Sequence, residues 1–208
     1  LVNQETFDAN KTNKKWLGRA AKMLQKERKN EEGESEDCTD NAMFTPIAEA
    51  IIDLEPSPSG YRALGIIYFK KKNYSKALDN YKLAAGMEQD PDALAVDNLK
   101  IAACYKILGN LSSAKTYALK AASLKGGWGD PYIFLATVYA DAAGQCGSNI
   151  VEKNGVYWAA IDKCNKAKSV DPGSSRQADR LISAYKKAIP QKSVAFALNY
   201  TEGNKVTL

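Results

Sequence analysis

The stretch from Tyr61 to Pro91, YRALGIIYFKKKNYSKALDNYKLAAGMEQDP, constrains this chain more than any other, because it recurs. From Asn98 the chain reads NLKIAACYKILGNLSSAKTYALKAA. Tyr105 answers Tyr68, Ala114 answers Ala77 and Ala121 answers Ala84, all at one fixed offset. Such self-similarity marks a solenoid, whose units bury their apolar faces against their neighbours. Tyr61, Leu64, Gly65 and Tyr68 fall at i, i+3, i+4 and i+7, one stripe of a helix. Lys70, Lys71 and Lys72 end that stripe, Asn73 supplies a turn, and Ala77, Tyr81 and Ala84 begin a second. Small residues at the facing positions, Gly65 and Ala77, let two helices approach while the tyrosines fill the space beside them. Asp90-Pro91 is expected to stop the second helix, since the residue before proline avoids the helical region.

These residues resemble the tetratricopeptide repeat (TPR) family, whose pattern is a large residue, Leu-Gly, Tyr, Ala, an aromatic, Ala and a closing Pro. The matching places hold Tyr61, Leu64-Gly65, Tyr68, Ala77, Tyr81, Ala84 and Pro91, with the proline displaced by about two residues. In the next unit Ile101-Ala102 replaces Leu-Gly and Ala118 replaces the aromatic. The resemblance implies an all-α fold, a right-handed superhelical solenoid of about four TPR-like helix pairs. The residues after it read as a C-terminal capping helix, needed to cover the last repeat's apolar face, and a short β-prone tail.

Taken in order, residues 1–10 lack periodicity and read as a flexible arm. The helical domain is expected over 11–189, with repeats at about 11–56, 57–91, 94–129 and 130–172 and a cap at 174–189. Two insertions interrupt it. One is the acidic, Ser/Gly-containing run 30–41. The other is AGQCGSNIVEK at about 143–153, at the same place in its own repeat. The glycines around Trp128 read as an inter-repeat turn, because no strand precedes them and no GK[ST] follows. The tail, 190–208, alternates at Val194, Phe196 and Leu198 and reads as a hairpin that needs something to pack on.

The chain has 208 residues and a net charge of +5, with no histidine. No apolar run reaches the roughly 18 residues of a membrane span. A catalytic site needs a nucleophile, a base and an anion-stabilising group. No such constellation is found, so no enzyme, small-molecule substrate, cofactor or metal is expected. The four cysteines are Cys38, Cys104, Cys146 and Cys164, without metal-ligand spacing. A disulfide between Cys146 and Cys164 would staple the second insertion to its repeat; the alternative is two free thiols. The bridge, the start at Leu1 and the apolar tail point to an exported protein, with a cytoplasmic one as the alternative.

The leading expectation is a non-catalytic scaffold that binds a protein or peptide. In proteins of the family it resembles, the first helices of successive repeats line a concave groove. Carried over position by position, the groove holds Lys15, Arg19, Lys22 and Met23, then Arg62, Ile66, Phe69 and Lys70. Next come Leu99, Ala103, Lys106 and Ile107, and last Ile133, Thr137, Ala140 and Asp141. It would be basic first and apolar further on, suiting a ligand with an acidic segment followed by a hydrophobic one. Ile66 stands where the family's carboxylate clamp needs asparagine, which speaks against a chaperone adaptor. The second reading is a structural subunit of an exported or envelope-associated assembly, making contacts through its insertions and oligomerising through its tail. Nucleic-acid binding through Lys14, Lys15, Arg19, Lys22, Lys26 and Lys70 to Lys72 ranks third, since few aromatics interleave with those charges.

Overall fold

A computed structural model of the chain describes residues 2–25, 28–29, 35–36, 41–143, 145, 149–190 and 198. They fall into two compact units, Leu1–Glu88 and Gln89–Leu208.

In the first unit the helices are α1 (Gln4–Asp8), α2 (Lys14–Gln25), α3 (Phe44–Leu54), α4 (Pro58–Lys70) and α5 (Tyr74–Met87). Between α2 and α3, the two-residue strands β1 (Arg28–Lys29) and β2 (Ser35–Glu36) pair antiparallel. Within the expected arm, residues 2–10 hold the short helix α1. Asn3 and Thr6 cap α1 reciprocally, and Val2 and Phe7 pack on the core of Leu17, Ala20, Met43 and Ile47. A single aromatic is enough to seat a helix too short to show a period.

The repeat stripe forms the pair α4 and α5. Leu64, Gly65, Ile67 and Tyr68 of α4 are buried, as are Ala77, Leu78, Tyr81 and Ala84 of α5. A Cβ added to Gly65 would lie 2.6 Å from the Tyr81 ring, so glycine is what lets the tyrosine lie flat on α4. Asn73, expected as a turn residue, caps α5 by accepting from the Lys76 amide at 3.2 Å.

The second unit holds α6 (Pro91–Ile107), α7 (Leu111–Leu124), α8 (Asp130–Asp141), α9 (Ile150–Val170) and α10 (Ser175–Lys186), with one 3-10 turn at Pro172–Ser174. Pro91 does not stop a helix. α5 already ends at Met87, and Pro91 begins α6 under an Asp90 cap, at the position where no amide proton is required. Asn110 caps α7 as Asn73 caps α5. Asn149 caps α9, so residues 150–153, expected within the second insertion, are already helical.

α10 packs on α9 as a cap should, and Ala178 and Tyr185 join Ile133, Ala136, Ala160, Cys164 and Ala167 in one core. The Cys164 thiol is free and fully buried, and burial pushes its pKa up to about 11. The expected bridge to Cys146 therefore finds no support, and the case for export loses that leg. Cys104 is likewise a free, buried thiol. Cys38, Cys146, residues 30–34 and 37–40 of the acidic insertion, and residues 191–197 and 199–208 of the tail lie outside the described residues.

The glycine turn before α8 is pinned from below. Asp171 accepts from the Gly129 amide at 3.1 Å, the Ser174 hydroxyl at 2.8 Å and the Gly173 amide at 2.9 Å. A Cβ at Gly129 would overlap Ser174, and Gly127 takes a φ of +71°. Trp128 is half-buried there, its indole donating to Asp130 at 3.0 Å.

Candidate partner-binding surfaces

In the first unit, α2 exposes Lys15, Arg19, Lys22 and Met23 along one face. Met23 is 58% exposed, high for an apolar side chain. The Arg19 guanidinium donates to the Lys15 carbonyl at 3.3 Å. Among the described residues none of these three cations makes an ion pair. Lys14, by contrast, pairs with Glu55.

α4 is more engaged. Arg62 pairs with Glu88 at 2.7 Å, and both side chains are largely buried. Phe69 meets Tyr74 edge-on at 5.2 Å. Ile66 stands 44% exposed, and Lys70 is exposed at the helix end. Lys71 donates to Thr45 at 2.7 Å, so the lysine run is partly tied to α3. Between α2, α3 and α4 lies an apolar pocket of about 160 Å³, lined by Ala21, Phe44, Ala48, Ile51, Ala63 and Ile67 among others. Its α2 wall, Ala21, adjoins Lys22 in sequence, and its α4 walls, Ala63 and Ile67, bracket Ile66. The volume suits one aliphatic side chain. Its signal in the sequence was the small residues Ala21 and Ala63 on successive first helices.

In the second unit the expected groove residues divide. Lys106 of α6 pairs with Asp141 of α8 at 2.9 Å and lies 6.0 Å from the Phe134 ring centre. Ala103 is half-buried and Ile107 is 48% exposed. Leu99 packs on Ala102, Ala118 and Leu135. Thr137 turns its hydroxyl back onto the Phe134 carbonyl at 2.8 Å. Ala140 is half-buried against the α8–α10 core. Ile133 sits inside that core at 4% exposure, so it meets no partner. Phe134, its neighbour, is half-buried, packed on Ala102, Ala118 and Leu135. Sequence position alone could not show this, because Ile133 enters a core to which α9 and α10 both contribute.

A different arrangement lies on the other side of α4. Tyr68 donates its hydroxyl to Glu49 of α3, and Lys76 of α5 donates to the same oxygen at 3.3 Å while lying 4.9 Å from the ring centre. Burial and the Glu49 contact raise the Tyr68 pKa, and the bond to Tyr68 raises that of Lys76. Lys76 thus stays protonated, its charge answered by Glu49 through the phenol. In the second unit, burial pushes Tyr185 up to about 12.

Among the described residues no helix is long and apolar enough to cross a membrane. No family model matches the chain, and no curated protein matches it in sequence. Solved structures do match in fold. A crystal structure of MamA superposes with a TM-score of 0.57 at 17% identity, covering 85% of this chain and 86% of that one. A second structure of MamA protein gives 0.56 at 18%, over 79% of this chain and 76% of that one. YrrB, described as a TPR protein with an unusual peptide-binding site, gives 0.48 at 15% over 94% and 96%, a likeness too weak to argue from.

Proposed function

The chain has the tetratricopeptide-repeat fold, and on that premise we propose that it is a non-catalytic scaffold that holds a segment of a partner protein on its first unit. The segment carries acidic residues followed by a large aliphatic one. The observation that carries this reading is the pocket between α2, α3 and α4, lined by apolar side chains, whose α2 wall, Ala21, adjoins Lys22 in sequence on the helix that also exposes Lys15 and Arg19. Lys15, Arg19 and Lys22 would draw the acidic part in and set its direction, a contribution that added salt screens. The pocket would take the aliphatic side chain, where desolvation gives most of the affinity. The second unit contributes less cationic charge, because Lys106 already answers Asp141.

The test is fluorescence anisotropy with two labelled peptides, one with three glutamates before Leu-Ile-Leu and one with three lysines in their place. The acidic peptide should bind at least tenfold more tightly. The triple variant Lys15→Glu, Arg19→Glu, Lys22→Glu should remove that preference. Ala63→Arg, which fills the pocket mouth, should weaken both peptides. Equal binding of the two peptides, or indifference to the triple variant, would sink the reading. A salt-dependent response to single-stranded DNA, lost in the same variant, would move it to nucleic acid.

A further inference from the structure

α9 is longer than its counterparts, and the added length lies at its start. α5 begins under Asn73, four residues before Ala77, and α7 under Asn110, four before Ala114. α9 begins under Asn149, eleven residues before Ala160, whose spacing to Cys164 and Ala167 repeats that of Ala77 to Tyr81 and Ala84. The added residues, 150–156, extend the helix by about 10 Å. α8 does not lengthen to match. It ends at Asp141, five residues past Ala136, as α6 ends at Ile107, five past Ala102. The two added turns of α9 therefore reach past the end of α8. They are covered nonetheless: Val151 and Val156 are each 1% exposed, and Gly155 is buried. Neither valine belongs to the core that α8, α9 and α10 share.

α10 leads to the segment that covers them. It runs back along α9, where Asp179 pairs with Lys168 at 2.5 Å and, further on, the Tyr185 ring lies 5.6 Å from that of Tyr157. Tyr157 adjoins the added turns, so α10 delivers the chain to them. After Pro190 the sequence alternates Val194 and Phe196 with Ala195 and Ala197, which gives an extended segment one edge of large apolar side chains. The residues from Tyr185 to Val194 span up to about 30 Å when extended. Val151 lies only about 9 Å along the helix from Tyr157.

We propose that the C-terminal tail folds back on the added turns of α9 and seats Val194 and Phe196 on Val151, Gly155 and Val156 of the same chain. Gly155 suits an aromatic ring: at Gly65 the missing Cβ is what lets Tyr81 lie flat, whereas a glycine inside a helix otherwise weakens it. Leu198, third in the alternation, is 41% exposed, so the seat is made by the first two. The tether from α10 is short, which puts the chain's own tail at an effective concentration on the order of millimolar, ahead of the tail of a second copy. A tail used in this way is not available to join copies of the chain, and an assembly would have to be built on other contacts.

The experiment is a ¹³C-edited NOE measurement on the full chain with labelled valine methyls. Contacts are expected between the Phe196 ring protons and the methyls of Val151 or Val156. In a mixture of labelled and unlabelled chains the isotope-filtered spectrum should be silent. Hydrogen exchange gives a second readout: the variant Val194→Asp, Phe196→Asp should speed exchange of amides 154–157 at least tenfold and that of amides 160–167 less than twofold. Missing contacts, unchanged exchange at 154–157 in the variant, or contacts that appear in the filtered spectrum and so come from a second copy would each overturn the proposal. If the variant loosens the whole unit, the contacts in the unaltered chain still decide. The peptide-binding test on α2 is independent of either result.

Discussion

The first unit packs its repeat pair with a glycine under an aromatic ring, Gly65 beneath Tyr81. The second unit solves the same problem twice with small residues on both sides, Ala102 facing Ala118 and Ala136 facing Cys164. The three pairs occupy the same places in their repeats. What the repeat conserves is therefore the helix–helix approach, not the residue at either place. Volume moves from one side of the contact to the other. Charge varies in the same way around an equally placed tyrosine. Tyr68 is flanked by Glu49 and Lys76, whereas Tyr139 has two lysines near its ring, Lys115 at 5.1 Å and Lys163 at 5.9 Å. The scaffold sets where the rings stand; the neighbours decide what each can meet.

A double-mutant cycle breaks the packing comparison most sharply. Tyr81 is 2% exposed, and Tyr81→Ala should cost about 3–5 kcal/mol through lost burial and the cavity left behind. Gly65→Ala should cost about 1–3 kcal/mol, because its Cβ meets the ring rather than open space. The double variant recreates the Ala–Ala pair of the second unit. It should therefore be less destabilised than the sum of the two, with a coupling of about 1 kcal/mol or more. Hydrogen exchange of the α4 and α5 amides reads this in the first unit alone. Strict additivity would mean that ring and glycine do not share a contact.

The second comparison is one of pH. Where α5 ends on Glu88, which pairs with Arg62, α9 in the second unit ends on a carboxylate hub, Asp171. Its hydrogen bonds from the Ser174 hydroxyl and the Gly129 amide hold its pKa below the ordinary 3.8. A depressed pKa in the folded state means that the ionised form stabilises the fold. That contribution is complete above the unfolded value and is lost as the pH falls below about 3.8 towards the folded value. Amides of the turn 126–130 should therefore lose exchange protection in acid sooner than the turn at 71–73. In Asp171→Asn the turn should be looser at neutral pH and flat across that range. An unchanged acid profile in the variant would show that the pin does not depend on charge.

What was legible in advance follows the same divide. The helix pairs, the facing small residues and the cap were readable because each depends on spacing along one helix. Asn73 and Asn110 were legible as turn residues through their local hydrogen bonding. The Lys106–Asp141 and Arg62–Glu88 pairs were not, since they join residues on different segments and depend on rotamers. Ile133 was carried to the surface by its register, and the core it shares with α9 and α10 removes it. Phe7 gave no periodic signal, yet it seats α1. The Tyr68 network was hidden for a third reason: its acid, Glu49, comes from the preceding helix, and its base, Lys76, from the following one.

The smallest expected effect is also the cleanest contrast between the units. After α4 the chain turns through Lys72 at φ +59°, and after α6 it turns through Gly109 at φ +82°, the same place in the repeat. The left-handed region costs an L residue roughly 1–2 kcal/mol, and glycine almost nothing. Glycine also raises the entropy of the unfolded chain, which takes back about 0.4–1 kcal/mol. Lys72→Gly should therefore stabilise the first unit by at most about 1 kcal/mol, even though it removes a surface charge. Gly109→Ala has open space for its methyl, so its whole cost is backbone strain, about 1 kcal/mol against the second unit. Local hydrogen exchange should show the opposite signs. If both substitutions destabilise, Lys72 is held by contacts of its side chain rather than tolerated in spite of its backbone.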